Sequence, residues 1–153
     1  MPDVTIGLGC AAGFLVIGAT GAVIGRFSFA KTVIYGLSLA LSLIALALAL
    51  TFLLRHAEAS TVILPLGLPG TGAHFRLDAL SAFFLLVVSL GGATTSLYAL
   101  GYGQSERAPL RVLPYYGAFL GGMTLVVLAA DAYSFLFAWE FMSLASWALV
   151  VAH

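Results

Sequence analysis

The stretch AYSFLFAWEFMSLASWALVVA, Ala132–Ala152, is long and apolar enough to cross a bilayer, yet it carries a carboxylate, Glu140, near its middle. A helix rises 1.5 Å per residue, so about 20 such residues cover a hydrocarbon core of ~30 Å. A charge at the centre of a span costs at least ~2.5–3.5 kcal/mol on insertion scales, so ionisable groups there are kept for a task or a partner. No other carboxylate, amine, guanidinium or imidazole falls inside an apolar span of this sequence.

The composition agrees with a membrane setting. Of 153 residues, 62% are hydrophobic and 8% charged, against roughly 25% charged in a soluble domain. Net charge is zero, which argues against nucleic acid, since phosphate binding needs a basic patch. Cys10 is the one cysteine, so an internal disulfide and a multi-cysteine metal site are both excluded, and between Gly9 and Ala11 it reads as a small packing residue. No Walker, HExxH or GxGxxG motif is present, and no cofactor-binding or metal-binding residue is assigned. The first charged side chain is Asp3 and the first cation Arg26, so the first segment reads as a retained helix rather than a cleaved leader.

Working outward, a 20-residue window gives five spans: Val4–Gly25, Thr32–Leu54, Ala79–Gly101, Leu113–Ala130 and Ala132–Ala152. The expected fold is an all-α polytopic membrane protein. Residues 1–54 hold the first two helices, 55–78 a connection and 79–153 the last three. Arg26 and Lys31 bracket the first loop, Gly25–Lys31, and Arg107, Arg111 and Glu106 occupy the third, Tyr102–Val112. The second connection has Arg55 and Arg76 balanced by Glu58 and Asp78, and the fourth is a tight turn at Asp131. Placing loops one and three inside puts four of the six cations in the cytoplasm, with the N-terminus outside.

The second connection predicts an extracytoplasmic β-hairpin lying on the helices. Ser60–Leu68 (STVILPLGL) is β-prone, Pro69-Gly70-Thr71-Gly72 turns, and Ala73–Leu77 (AHFRL) pairs back. Asp78 is placed to cap the third span and Asp131 the fifth, since an N-cap carboxylate accepts from first-turn amides. Arg76 and Asp78 are expected to position the hairpin. Gly9/Gly13, Gly21/Gly25 and Gly117/Gly121 form GxxxG pairs, read as helix contacts. Gly91 and Gly92, with Thr94, Thr95 and Ser96, give the third span a small, weakly polar patch. Tyr98, Tyr102, Tyr115, Tyr116 and Trp139 fit interface belts or helix packing.

On a helix, Glu140 shares a face with Leu136, Phe137, Ser143, Leu144 and Trp147. Ser143 and Trp147 offer hydrogen-bond donors, and the others exclude water. Desolvation favours the neutral form of a carboxyl and a nearby lysine the charged form, so a carboxyl held between the two can be switched, as a proton relay requires. The alternative is a neutral glutamic acid that only hydrogen-bonds across helices. The sequence has no intramembrane lysine or histidine to act as its partner.

The segment Phe135–Trp147 (FLFAWEFMSLASW) resembles the fifth-helix signature of the antiporter-like membrane subunits of respiratory complex I, and most closely the large antiporter-like subunit of hydrogenase-4 and formate hydrogenlyase. Arg76–Tyr102 (RLDALSAFFLLVVSLGGATTSLYALGY) is similar to that family's third helix and Tyr115–Asp131 (YYGAFLGGMTLVVLAAD) to its fourth. The first 75 residues match mainly in pattern.

The resemblance implies a proton-translocating subunit driven by electron transfer in attached redox subunits, with Glu140 as the fifth-helix glutamate that pairs with a lysine on a later broken helix. Expected partners are other membrane subunits, the lipid bilayer, and protons or sodium, in a prokaryotic cell (plasma or inner) membrane. No redox centre belongs to the chain, so an oxidoreductase label would describe the complex. Family members have many more helices, so the chain is expected to be an N-terminal fragment or a split product, lacking the broken helices and their lysines. His153 could feed protons inward, but a frayed terminal residue is the plainer reading. Two other functions are weighed: a non-catalytic helical scaffold in which Glu140 only joins helices, and part of a multisubunit cation/proton antiporter or inorganic-carbon uptake complex.

Overall fold

The computed structural model describes residues 3–67, 70, 72–102 and 109–152. Five helices follow the apolar runs: α1 (Asp3–Ile24), α2 (Ala30–Leu54), α3 (Ala79–Tyr102), α4 (Pro109–Leu128) and α5 (Ala132–Val151). Each is long and apolar enough to cross a membrane. Between α2 and α3, strands β1 (Ser60–Leu64) and β2 (Ala73–Leu77) pair antiparallel, with Ser60 opposite Leu77 and Leu64 opposite Ala73. The all-α polytopic membrane fold with a hairpin between helices 2 and 3 is therefore the one expected.

Helix ends show where local chemistry overrides hydropathy. The span expected at Leu113–Ala130 begins four residues earlier, at Pro109, and so takes in Arg111. Proline suits a first helical position, where its missing N–H would have no partner anyway, and a cation at a helix end can reach back to the interface. The helix ends at Leu128 because Ala129 pairs with Phe75 and the Ala130 amide donates to the His74 carbonyl at 2.9 Å. β1 stops at Leu64 because Pro65 follows and has no amide to donate. The rest of the predicted turn, at Leu68, Pro69 and Thr71, lies outside the described residues, as do Glu106, Arg107 and His153.

α4 is the central helix, packing on α1 and α5 most extensively and touching α2 and α3 as well. Its contact with α1 depends on missing side chains. A Cβ on Gly117 would lie 2.5 Å from the Gly18 nitrogen and 2.7 Å from the Phe14 carbonyl oxygen. One on Gly21 would meet Leu113, and one on Gly121 would sit 2.9 Å from Leu15 Cδ2. Gly117/Gly121 and Gly21/Gly25 thus work as the pattern implies, with Gly18 as the unforeseen partner. Gly9/Gly13 is different: nothing lies within 4 Å of a Cβ on Gly9, and Gly13 meets Leu41 of α2. Gly9 is nine residues from Gly18, half a turn round at 100° per residue, and so cannot share its face.

The hairpin lies across one end of the bundle. The Val4 amide at the start of α1 donates to Ser60 Oγ at 3.0 Å. Leu77, Leu85 and Leu128 are fully buried where β2 meets α3 and α4, in a cluster with Val4, Phe52 and Phe75. Alternation along β2 buries Ala73, Phe75 and Leu77 and turns His74 and Arg76 outward.

Candidate functional site in the fifth helix

Glu140 lies eight residues into α5, about 12 Å along its axis. The side of α5 that meets α4 is marked by Ser134, Ala138 and Ala145, all buried. Glu140 is half a turn away, exposed, among Leu136, Leu144 and Trp147, the last 65% exposed. The face predicted around Glu140 is therefore real, but it points away from the rest of the described chain. Among the described residues Glu140 has no hydrogen bond and no ion pair, and neither Ser143 nor Trp147 bonds to it. The predicted donors share its face without reaching it.

α5 has the lowest share of buried residues of the five spans and, among the described helices and strands, packs on α4 and β2 alone. Its position is set at its N-terminus. Asp131, the N-cap, accepts from the Ser134 amide at 2.8 Å and from Ser134 Oγ at 2.6 Å. The same carboxylate accepts from the His74 amide at 2.8 Å, and His74 Nδ1 stands 3.9 Å away. These hydrogen bonds, led by those from Ser134, lower the Asp131 carboxyl to about 2. The predicted cap is present, and it also ties α5 to β2.

Asp78 begins α3 in the same way: its Oδ1 accepts from the Ser81 amide at 2.9 Å while its own amide donates to Ser81 Oγ at 2.7 Å. The bonds that the carboxylate accepts from the Ser81 amide and, at 3.0 Å, from Ser81 Oγ hold it below the usual range, helped by Arg76 at 2.5 Å. Arg76 and Asp78 thus fix the exit of the hairpin.

A polar seam that the sequence reading did not assemble runs inside α2, α3 and α4. Ser38 and Ser42 of α2 are fully buried, with hydroxyls that have no hydrogen-bond partner among the described residues. Facing them on α3 are Gly92, whose Cβ would lie 2.8 Å from Ser42 Oγ, and Ser89 and Ser96. Ser96 and Thr95 bond the Tyr116 hydroxyl at 2.7 and 3.1 Å, and Tyr35 meets the Tyr116 ring edge-on. Sequence offered a signal in the i, i+4 spacing of Ser38 and Ser42. The seam does not include Glu140. Between α1 and α5, beneath the hairpin, lies an open cleft of about 730 Å³ lined by Leu8, Ala12, Phe75, Leu125, Tyr133 and Phe137 among others. No group of three or more potential metal ligands occurs among the described residues.

Comparison with known proteins finds partial relatives that are much longer than this chain. No family model matches the chain. An uncharacterized protein of Mycobacterium tuberculosis is 38% identical over 88 residues, which is 56% of this chain and 13% of that protein. Hydrogenase-4 component B of Escherichia coli is 37% identical over 79 residues, 50% of this chain and 12% of the component. NADH-quinone oxidoreductase subunit L of Mycobacterium tuberculosis is 36% identical over 76 residues, 49% of this chain and 12% of the subunit. The matched part thus spans about an eighth of the length of these curated relatives. The chain is a partial homologue of hydrogenase-4 component B and of NADH-quinone oxidoreductase subunit L, in keeping with the antiporter-like subunit family that its fifth helix resembles.

Proposed function

We propose that the chain is part of the proton-translocating membrane arm of a redox-driven complex of hydrogenase-4 or NADH-quinone oxidoreductase type, in which Glu140 takes up and releases the proton. The observation that carries this reading is the carboxylate in the middle of a membrane-length helix, on a face that the described chain leaves uncovered. An ionised carboxylate facing lipid is costly. Covering that face with further protein would let a nearby cation decide whether the carboxyl keeps its proton. A cation within about 4–6 Å favours the ionised form, and its withdrawal in a dry setting favours the protonated one. Moving the cation then moves the proton.

On this reading residues 1–54 and 79–153 form the helical body, and 55–78 covers its outer end. The partners are other membrane subunits of the complex, in a prokaryotic cell membrane with the N-terminus outside. Protons are the transported ion, which proton uptake measured in sodium-free medium would separate from sodium. The names of the partial relatives support the assignment to a membrane complex.

The test is Glu140→Gln in the assembled complex. Proton uptake into vesicles should be lost, together with a carboxyl band in the difference infrared spectrum of turnover. Pumping that survives with no such band in the native complex would make Glu140 a structural residue and leave a helical scaffold.

A further inference from the structure

The zero net charge of the chain conceals a strong polarity from one end of the bundle to the other. The hairpin end gathers Asp3, Glu58, Asp78 and Asp131, against Arg55 and Arg76, and Arg76 is taken up by Asp78. The opposite end, where α1 stops and α2 and α4 start, has Arg26, Lys31 and Arg111, with no carboxylate among the described residues.

Two of these cations are brought together by the glycine seam. A Cβ on Gly25 would lie 2.9 Å from Leu110 Cδ2 and 3.6 Å from Leu110 Cα. Arg26 directly follows Gly25 and Arg111 directly follows Leu110, so the two guanidinium stems leave adjacent points of touching backbones. Both side chains are exposed, and neither has a hydrogen bond or an ion pair among the described residues. Beside them the exposed rings of Phe27 and Phe29 stack at 5.5 Å, an apolar shelf next to the charges. Guanidinium groups bind phosphate through paired N–H donors, and basic residues at membrane helix ends are drawn to anionic lipid.

We infer that Arg26 and Arg111 form a binding site for the phosphate of an anionic phospholipid across the α1–α4 seam, with Phe27 and Phe29 beside its glycerol and acyl region. The cytoplasmic leaflet carries the anionic surface potential in cells, so the site assigns this end of the bundle to the cytoplasm. The inference uses no role for Glu140 and stands apart from the proposed proton transfer.

The test uses the full chain in nanodiscs of phosphatidylcholine containing a minor share of phosphatidylglycerol, with retained lipid counted by native mass spectrometry. The native chain should retain phosphatidylglycerol in excess of its share. Combining Arg26→Gln with Arg111→Gln should cut that excess about tenfold, the effect of losing on the order of one strong cation contact or more. Arg55→Gln, at the opposite end, should leave it unchanged. Arg26→Lys with Arg111→Lys should keep most of it, which separates loss of the site from loss of the fold. Retention should also survive excess inorganic phosphate. No enrichment in the native chain, equal loss in Arg55→Gln, or displacement by inorganic phosphate would overturn the assignment.

Discussion

The Asp131 carboxylate accepts a 2.8 Å hydrogen bond from the backbone amide of His74, a residue 57 positions earlier in the chain. One side chain thus starts α5 and anchors the hairpin, so removing it acts on both. In Asp131→Ala the amides of Ser134 and His74 lose their acceptor, and hydrogen exchange at both sites should accelerate together. Asp131→Asn keeps a capping oxygen and should lie between. Acceleration at Ser134 alone would show that the tie to β2 is made by the backbone pairing of Ala129 and Ala130.

The same carboxylate sets an acid limit. Its folded value of about 2 lies below the ordinary 3.8, so the stability it contributes is present above pH ~4 and is lost as pH falls towards ~2. Protection of the His74 and Ser134 amides should hold through pH ~5 and decline below ~4. A decline centred near neutral pH would show that the Asp131 carboxylate does not set this limit.

At the α1–α4 contact, Gly117→Ala forces a methyl against the Gly18 nitrogen and the Phe14 carbonyl, both backbone atoms that cannot swing aside. Overpacking of this kind costs about 1–3 kcal/mol. Gly9→Ala and Gly91→Ala, where a Cβ would meet nothing within 4 Å, should be neutral or slightly stabilising. Unfolding of the three variants in mild detergent gives the comparison, and equal effects would remove the case for a close backbone approach.

Tyr116→Phe deletes the hydroxyl shared by Ser96 and Thr95 while keeping the ring against Tyr35. Hydrogen bonds between membrane helices average about 0.6 kcal/mol, with a maximum of ~1.7. A loss of about 0.6–1.7 kcal/mol is therefore expected in the same unfolding assay. No measurable loss would show that the two bonds to the hydroxyl do not hold α3 and α4 together.

Much of this architecture could be read from the residues, because spans, caps and turns are written locally. Asp78 and Asp131 are recognisable as caps from their position before apolar runs, and the strand pair from the Pro and Gly residues between β-prone segments. Three features could not be read that way. The start of α4 at Pro109 was hidden because Arg111 lowers the hydropathy of a turn that the helix retains. The bond from His74 to Asp131 joins distant segments with no shared local pattern. The open face at Glu140 follows from what α5 fails to touch: periodicity says which residues lie together, and only the packing of the other helices says whether anything lies over them.

α5 is clasped at its N-terminus and backed by α4 along one side. Such a helix is a lever with its fulcrum at Asp131. A tilt of about 5° along the α4 surface would carry Glu140, ~12 Å down the axis, through ~1 Å. That displacement separates a hydrogen bond of ~2.9 Å from a broken one. A partner pressing on the free side of α5 could thus open or close a proton contact with no change in any helix's internal structure, and the hairpin's grip on Asp131 would set how stiffly the lever returns.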